Sequence, residues 1–232
     1  MAEERSVDAI REAARTALAA LRGLAGAQDL ADAKALVEPL RNQRDYLAMA
    51  EVAEAVSRRD PGDAKNRRLY AQALIENGRT TAAIAMLRAL IARLPADHAE
   101  VIEAHGLLGR AYKQIFFDTG DRDAPFARDA LAQAIDAYRV PYAADRANTW
   151  HGVNLVALVH RARSLGLRAA DDLDADAIAA QVIATLEAKP EAERDEWHLP
   201  TLAEASLALR DWMASDRHMR AYVGARDAKD FQ

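Results

Sequence analysis

An all-α fold of about eleven helices, stacked as two-helix units, is what this chain predicts, and three observations carry that expectation. Pro61 and Pro95 stand 34 residues apart, and at the same step Leu36, Leu40 and Val56 fall opposite Tyr70, Leu74 and Leu90. Apolar residues recur at three- and four-residue spacing in segment after segment, with Gly and Pro mainly between the segments. Alanine is abundant, only 6% of the 232 residues are aromatic, and no strand-rich stretch stands out. A helix pair repeated at this step buries its apolar face only against its neighbours, so the length of the chain reports unit count rather than domain count.

The elements follow in order. Ser6, Asp8 and Ile10 read as a helix start, and Ile10, Ala14, Ala17, Leu18 and Leu21 form one apolar stripe over about 6–24. Residues 1–28 are thus expected to hold a capping helix and 29–232 the repeat array. A lone stripe must be covered, by the first repeat or by a second copy of the chain. The first repeat pairs 30–43 with 45–59, with Pro39 expected to kink or strain its first helix. The second pairs 64–77 with 80–93, and Gly78 sits where the turn needs unusual backbone angles. Asp60-Pro61 and Leu94-Pro95 end the second helix of each unit, because proline lacks the donor and restricts the residue before it.

The third unit begins with Leu107, Leu108, Gly109 and Tyr112 and extends its first helix through Asp118. A loop through Gly120, Asp121 and Pro125 then leads to a helix carrying Leu131, Ala134, Ile135 and Tyr138, which Pro141 should end or bend near Val140. The fourth pairs 147–165 with 174–189 across a long connection, and the fifth runs from Trp197 through Trp212 and Tyr222 to about 227. Trp150, Trp197 and Trp212, at or near helix starts, are expected to pack between repeats.

A period of 34 with this punctuation is that of the tetratricopeptide repeat. Within it, Gly109 to Phe116, Ala134 to Arg139 and Trp150-His151-Gly152-Val153-Asn154-Leu155 resemble a particular variant. Over about 100–227 the order of elements is similar to the TRAF-binding, central regulatory domain of the apoptosis signal-regulating kinases, which also occurs in bacterial repeat proteins. The resemblance implies a regulatory interaction domain inside a larger signalling or defence-type protein. Richness in alanine and arginine points to a bacterial relative, in which the name "TRAF-binding" itself would not apply. No kinase part is present, neither a Gly-rich phosphate loop nor an HRD or DFG sequence, so the resemblance implies no catalytic residue. Asp227 to Gln232 reads as the start of a further helix, as in a fragment of a longer chain.

Composition excludes several other classes. A net charge of -5, with arginines interleaved among acids, argues against nucleic acid as partner. The first residues, Glu3, Glu4 and Arg5, followed by a stretch broken by Arg11, Glu12 and Arg15, do not make a signal peptide, and no segment is long and apolar enough to span a membrane. The absence of cysteine fits a cytoplasmic protein.

Six histidines (His98, His105, His151, His160, His198 and His218) lack the spacing of metal ligands, and no metal or other cofactor is expected. Asp171-Asp172 and Asp174-Asp176 read as helix-start acids rather than an acid/base pair. Asn154 reads as structural. With no nucleophile motif, no enzyme is expected.

The remaining constellation is the concave face, which the first helix of each unit lines. The repeat register places Lys34, Lys65, Arg68, Gln72, Arg110, Lys113, Asn148 and His151 there. Such donors suit the acidic or C-terminal end of a peptide. Glu38, Glu76 and Glu103 share the register, so scattered solvated charge is the competing reading. The expected function is a protein- or peptide-binding scaffold. The alternative is a structural or oligomerising element supporting an enzymatic domain elsewhere, with a homodimer through the N-terminal helix.

Overall fold

The computed structural model describes residues 7–23 and 26–224, apart from the side chain of Ala169. The expected helix start at Ser6, the extension to about 227 and the helix from Asp227 lie outside the described residues. Among those residues there are eleven α-helices, two short 3-10 turns and no strand. The helices are α1 (Val7–Arg22), α2 (Ala27–Asn42), α3 (Tyr46–Arg59), α4 (Ala64–Glu76), α5 (Thr80–Arg93), α6 (Ala99–Asp118), α7 (Pro125–Ala144), α8 (Thr149–Ser164), α9 (Ala175–Glu187), α10 (His198–Ala208) and α11 (Trp212–Gly224). The chain forms two compact units that divide between Gln114 and Ile115, within α6. No helix among the described residues is long and apolar enough to cross a membrane.

In the first unit α2 packs on α3, α3 on α4 and α4 on α5, while α1 lies against α2 and α3. The stripe read from the sequence, Ile10, Ala14, Ala17 and Leu21, is the buried side of α1. Leu36, Leu40, Met49, Val52 and Val56 form the core of the first hairpin, and Leu74, Ala83, Leu87 and Leu90 that of the second. Truncating one such side chain to alanine costs about 2–5 kcal/mol. In the second unit α7 packs on α8, α8 on α9 and α10, and α10 on α11. Its core includes Leu131, Ile135, Tyr138, Leu155, Leu158 and Val182.

One turn geometry recurs. In four hairpins the residue just past the first helix takes a left-handed backbone: Arg44 (φ 57), Gly78 (φ 72), Gly166 (φ 64) and Arg210 (φ 63). Each is followed by an amide that reaches back five residues: Asp45 to Leu40, Arg79 to Leu74, Leu167 to Ala162 and Asp211 to Ser206, at 2.7–3.0 Å. This pairing satisfies carbonyls that the helix end leaves open. Glycine meets the requirement without strain at two of the turns, and arginine bears it at the other two. Where arginine stands, the next residue is an aspartate that accepts from an amide of the following helix, Asp45 from Ala48 and Asp211 from Ala214.

Two expectations about proline need correction. Pro125 opens α7 instead of lying in the preceding loop; at the first helical position its missing donor costs nothing. Pro141 lies inside α7, which continues to Ala144, and the Asp145 amide closes on the Pro141 carbonyl at 2.9 Å. Pro39 lies inside α2, as expected, and the helix runs on to Asn42. The carbonyl it leaves without a donor belongs to Ala35, an exposed residue.

Candidate functional site

The first helices α2, α4 and α6 carry most of the predicted donors, and the fold joins those donors to acids on neighbouring helices. Lys65 on α4 contacts Glu38 on α2 at 2.7 Å. Arg110 on α6 meets Glu76 on α4 at 2.7 Å, and Arg68 on α4 meets Glu100 on α6. Lys34 on α2 bridges Asp60 and Asp63, at the end of α3 and the cap of α4, at 2.7 and 2.8 Å. Gln72 and Lys113 lie half-buried one turn beyond Arg68 and Arg110. The result is a row of cross-helix ion pairs. Its outer cations are Lys65 and Arg110, with side chains 53% and 42% exposed, whereas the Arg68 side chain is only 9% exposed.

Charge states follow the pairing. Hydrogen bonding to Lys65 holds the Glu38 carboxyl below the usual range, and Lys34 does the same for Asp60. The hydrogen bonds from Lys34 to Asp60 and then Asp63 raise the Lys34 ammonium above its ordinary value. The Lys34 ammonium is thereby favoured in its charged form.

The two predicted residues of the second unit serve elsewhere. Asn148 caps α8, its side-chain oxygen accepting from the His151 amide at 3.2 Å. His151 is 0% exposed and lies among rings, with centroids 5.9 Å from Tyr138 and 4.8 Å from Trp150. The structure thus gathers Lys34, Lys65, Arg68 and Arg110 into one system and encloses His151 in a core.

Beside His151, Gly152 permits a close approach of three helices. A Cβ there would stand 2.7 Å from Val182 Cγ2 on α9 and 3.0 Å from Tyr142 Cε2 on α7. The segment Trp150 to Leu155, singled out for its resemblance, is therefore where α8 is pressed between its neighbours. Its Asn154 donates to the Trp150 carbonyl at 2.9 Å, a local bond as expected. Asn66, not singled out by its sequence, is buried and donates at 2.9 Å both to the Ala53 carbonyl and to Ser57 Oγ, tying α4 to α3.

The tryptophans correct another expectation in part, since Trp150 does pack on α7 of the preceding helix pair. Trp150 stacks edge-on against Tyr138 at 6.2 Å yet is 39% exposed, and Trp197 and Trp212 are 52% and 65% exposed. Asp174 does cap α9, accepting from Asp176 and Ala177, and Asp172 pairs with Arg139 at 3.1 Å. Among the described residues no group of His, Cys, Asp and Glu could hold a metal ion.

Residues 45–159 match the model of the family described as Tetratricopeptide Repeats-Sensor. No curated protein matches the chain. Among solved structures, a thermophilic TPR protein, TTC0263 of Thermus thermophilus, is similar with a TM-score of 0.65 and 18% identity, covering 85% of this chain and 93% of that one. The MamA protein is similar at 0.50 and 15% identity, covering 84% and 90%, and BtubC (BKLC) from P. vanneervenii at 0.53 and 12%, covering 98% and 96%. At these identities the likeness is one of fold. With the 34-residue register and the hairpins already described, it gives the chain an all-α fold of the tetratricopeptide-repeat, α-solenoid class.

Proposed function

We propose that the chain is a non-catalytic interaction module that takes an acidic segment of a partner protein into a concave groove along the face of α2, α4 and α6. Tetratricopeptide proteins generally mediate protein–protein contacts, and their scaffold is typically non-catalytic. The carrying observation is that Lys65 and Arg110, exposed cations on successive first helices, each rest on a neighbour's carboxylate at 2.7 Å. A carboxylate of the partner replaces Glu38 or Glu76 by exchange, one charge-assisted bond for another. Placement of the partner's acids, rather than its net charge, then sets affinity.

Gln72 and Lys113 extend the contact, Lys34 and Arg68 hold the helices that present it, and Asn148 and His151 serve only to hold α8 in the second unit. The resemblance of about 100–227 to the regulatory domain of signal-regulating kinases supports a role as one module of a bacterial, cytoplasmic signalling or defence-type protein. The test is fluorescence anisotropy with labelled peptides ending in consecutive acids, against the same peptides with amides in place of the carboxylates. Binding that needs the acids, weakens with salt and disappears in Lys65→Glu/Arg110→Glu is expected. Equal binding, or no binding, of the acidic and amidated peptides sinks the proposal.

A second reading, a structural or self-associating element that includes a homodimer through the N-terminal helix, is favoured by one observation. The buried stripe of α1 is covered by α2 and α3, but a groove remains open between α1 and α2.

A further inference from the structure

The outer side of α11 is both apolar and basic. Trp212, Met213 and Val223 are 65%, 85% and 68% exposed. Met213, Arg217 and Arg220 follow at steps of four and three residues, so they lie in one row beside the row of Trp212, Met219 and Val223. Large apolar side chains grouped on one helix differ from solitary surface ones.

The groove between α1 and α2 has the complementary character. Its volume is about 980 Å³, small side chains such as Ala13 and Ala20 line it together with Leu36, and Glu12, Asp29 and Asp32 border it. The direction of the helices distributes those acids. Arg11 on α1 pairs with Asp45 at the start of α3, and Arg59 at the end of α3 donates to the Leu21 carbonyl at the end of α1. α1 is therefore parallel to α3 and antiparallel to α2, which sets Glu12 toward one end of the groove and Asp29 and Asp32 toward the other. At 1.5 Å per residue the lined stretch of α1 from Ala9 to Ala20 is about 17 Å long, as is α11 from Trp212 to Val223.

We propose that α11 of one copy docks into the α1–α2 groove of a second copy, parallel to that copy's α1. In this placement Trp212 and Met213 cover the small side chains near Ala13, Arg210 falls at Glu12, and Arg217 and Arg220 fall at Asp32 and Asp29. Length, side-chain size and charge all match in the same orientation. The local ion pairs Glu12 with Arg15 and Asp216 with Arg220 are exposed and contribute little, so releasing them costs little. Asp29 and Asp32 accept from the Gly26 amide and from Gln28, each at 2.7 Å, and each can accept a further bond through the carboxylate's other oxygen. The contact joins two different patches, so it is heterologous and can continue from copy to copy. This deepens the self-associating reading and uses neither Lys65 nor Arg110, so its failure leaves peptide binding untouched.

Sedimentation velocity of the full chain from micromolar to near-millimolar concentration tests it. The mass is expected to rise with concentration past that of a dimer. A groove variant, Ala13→Arg/Asp32→Arg, and an end variant, Met213→Glu/Arg217→Glu, are each expected to remain single. Their equimolar mixture is expected to give a complex holding one of each, since one supplies an intact end and the other an intact groove. Circular dichroism checks that both fold, and the single exposed changes Asp32→Arg and Arg217→Glu give the same comparison if a double variant does not. A wild-type chain that stays single, a groove variant that still associates through α11, or a mixture that forms no complex overturns the proposal.

Discussion

In the unit that ends at Gln114 the first helices are laced by charge; in the unit that begins at Ile115 the helices around α8 are locked by rings and a glycine. Lys65 with Glu38 and Arg110 with Glu76 lie at the surface, where partners can be exchanged at little cost. His151 and Gly152, by contrast, sit in contacts that tolerate no added atom. One repeat register thus supports two kinds of face. The exchangeable one suits recognition, and the close-packed one suits a fixed support.

Substitutions can break that contrast, and the largest effect is expected at Gly152. Gly152→Val should cost about 3 kcal/mol in chemical denaturation, because the new side chain enters the space of Val182 and Tyr142. Val182→Ala in the same chain should recover part of that loss; additive losses would mean that the two residues do not compete for space.

Next comes Asn66→Leu, expected to cost about 2 kcal/mol, since it strips the Ala53 carbonyl and Ser57 of a buried donor. A neutral result would show that the first unit does not depend on that tie. The turns should respond in opposite directions. Gly78→Ala should lose about 1 kcal/mol at φ 72, while Arg210→Gly should gain about 0.5 kcal/mol at φ 63, as read from melting midpoints.

The smallest effect is expected where the charge lies outermost. Lys65→Ala should change stability by less than about 0.5 kcal/mol and by nothing measurable in high salt.

Acid titration separates the buried imidazoles from the paired carboxylates by pH window. Burial holds the imidazoles of His105 and His198 below their ordinary range, and Arg194 and Lys189 add to the effect at His198. The unfolded chain then takes up protons first as the pH falls below about 6.5, so stability declines through and below that point. The paired carboxylates of Glu38 and Asp45, lowered by Lys65 and Arg11, act in a more acidic window. Their contribution is complete above about pH 5 and is lost as the pH falls through their depressed values. His198→Gln should flatten the upper window and leave the lower one unchanged; an unaltered upper slope would remove His198 from the account.

The hairpins were legible because two signals agreed. Apolar spacing marked the segments expected at 64–77 and 80–93, which the structure places at Ala64–Glu76 and Thr80–Arg93, and Gly78 and Pro95 punctuated them. Proline misled where only one signal spoke: Pro125 and Pro141 read as breaks, but a helix accepts proline at its first position and, when packing favours continuation, near its end. The donor row was legible as a set of positions on the first helices. Glu38 and Glu76 were noted beside it, but spacing along one helix does not show that a carboxylate on the next helix lies within 2.7 Å.

Period, composition and turn residues by themselves determined that the chain is built from repeated helix pairs, because helix periodicity and backbone restrictions act within a few residues. Whether a lysine meets a neighbour's glutamate, a histidine disappears into a ring cluster or a tryptophan stays in water was decided by tertiary structure alone. Those outcomes depend on distances between helices, which the packing of many side chains sets together.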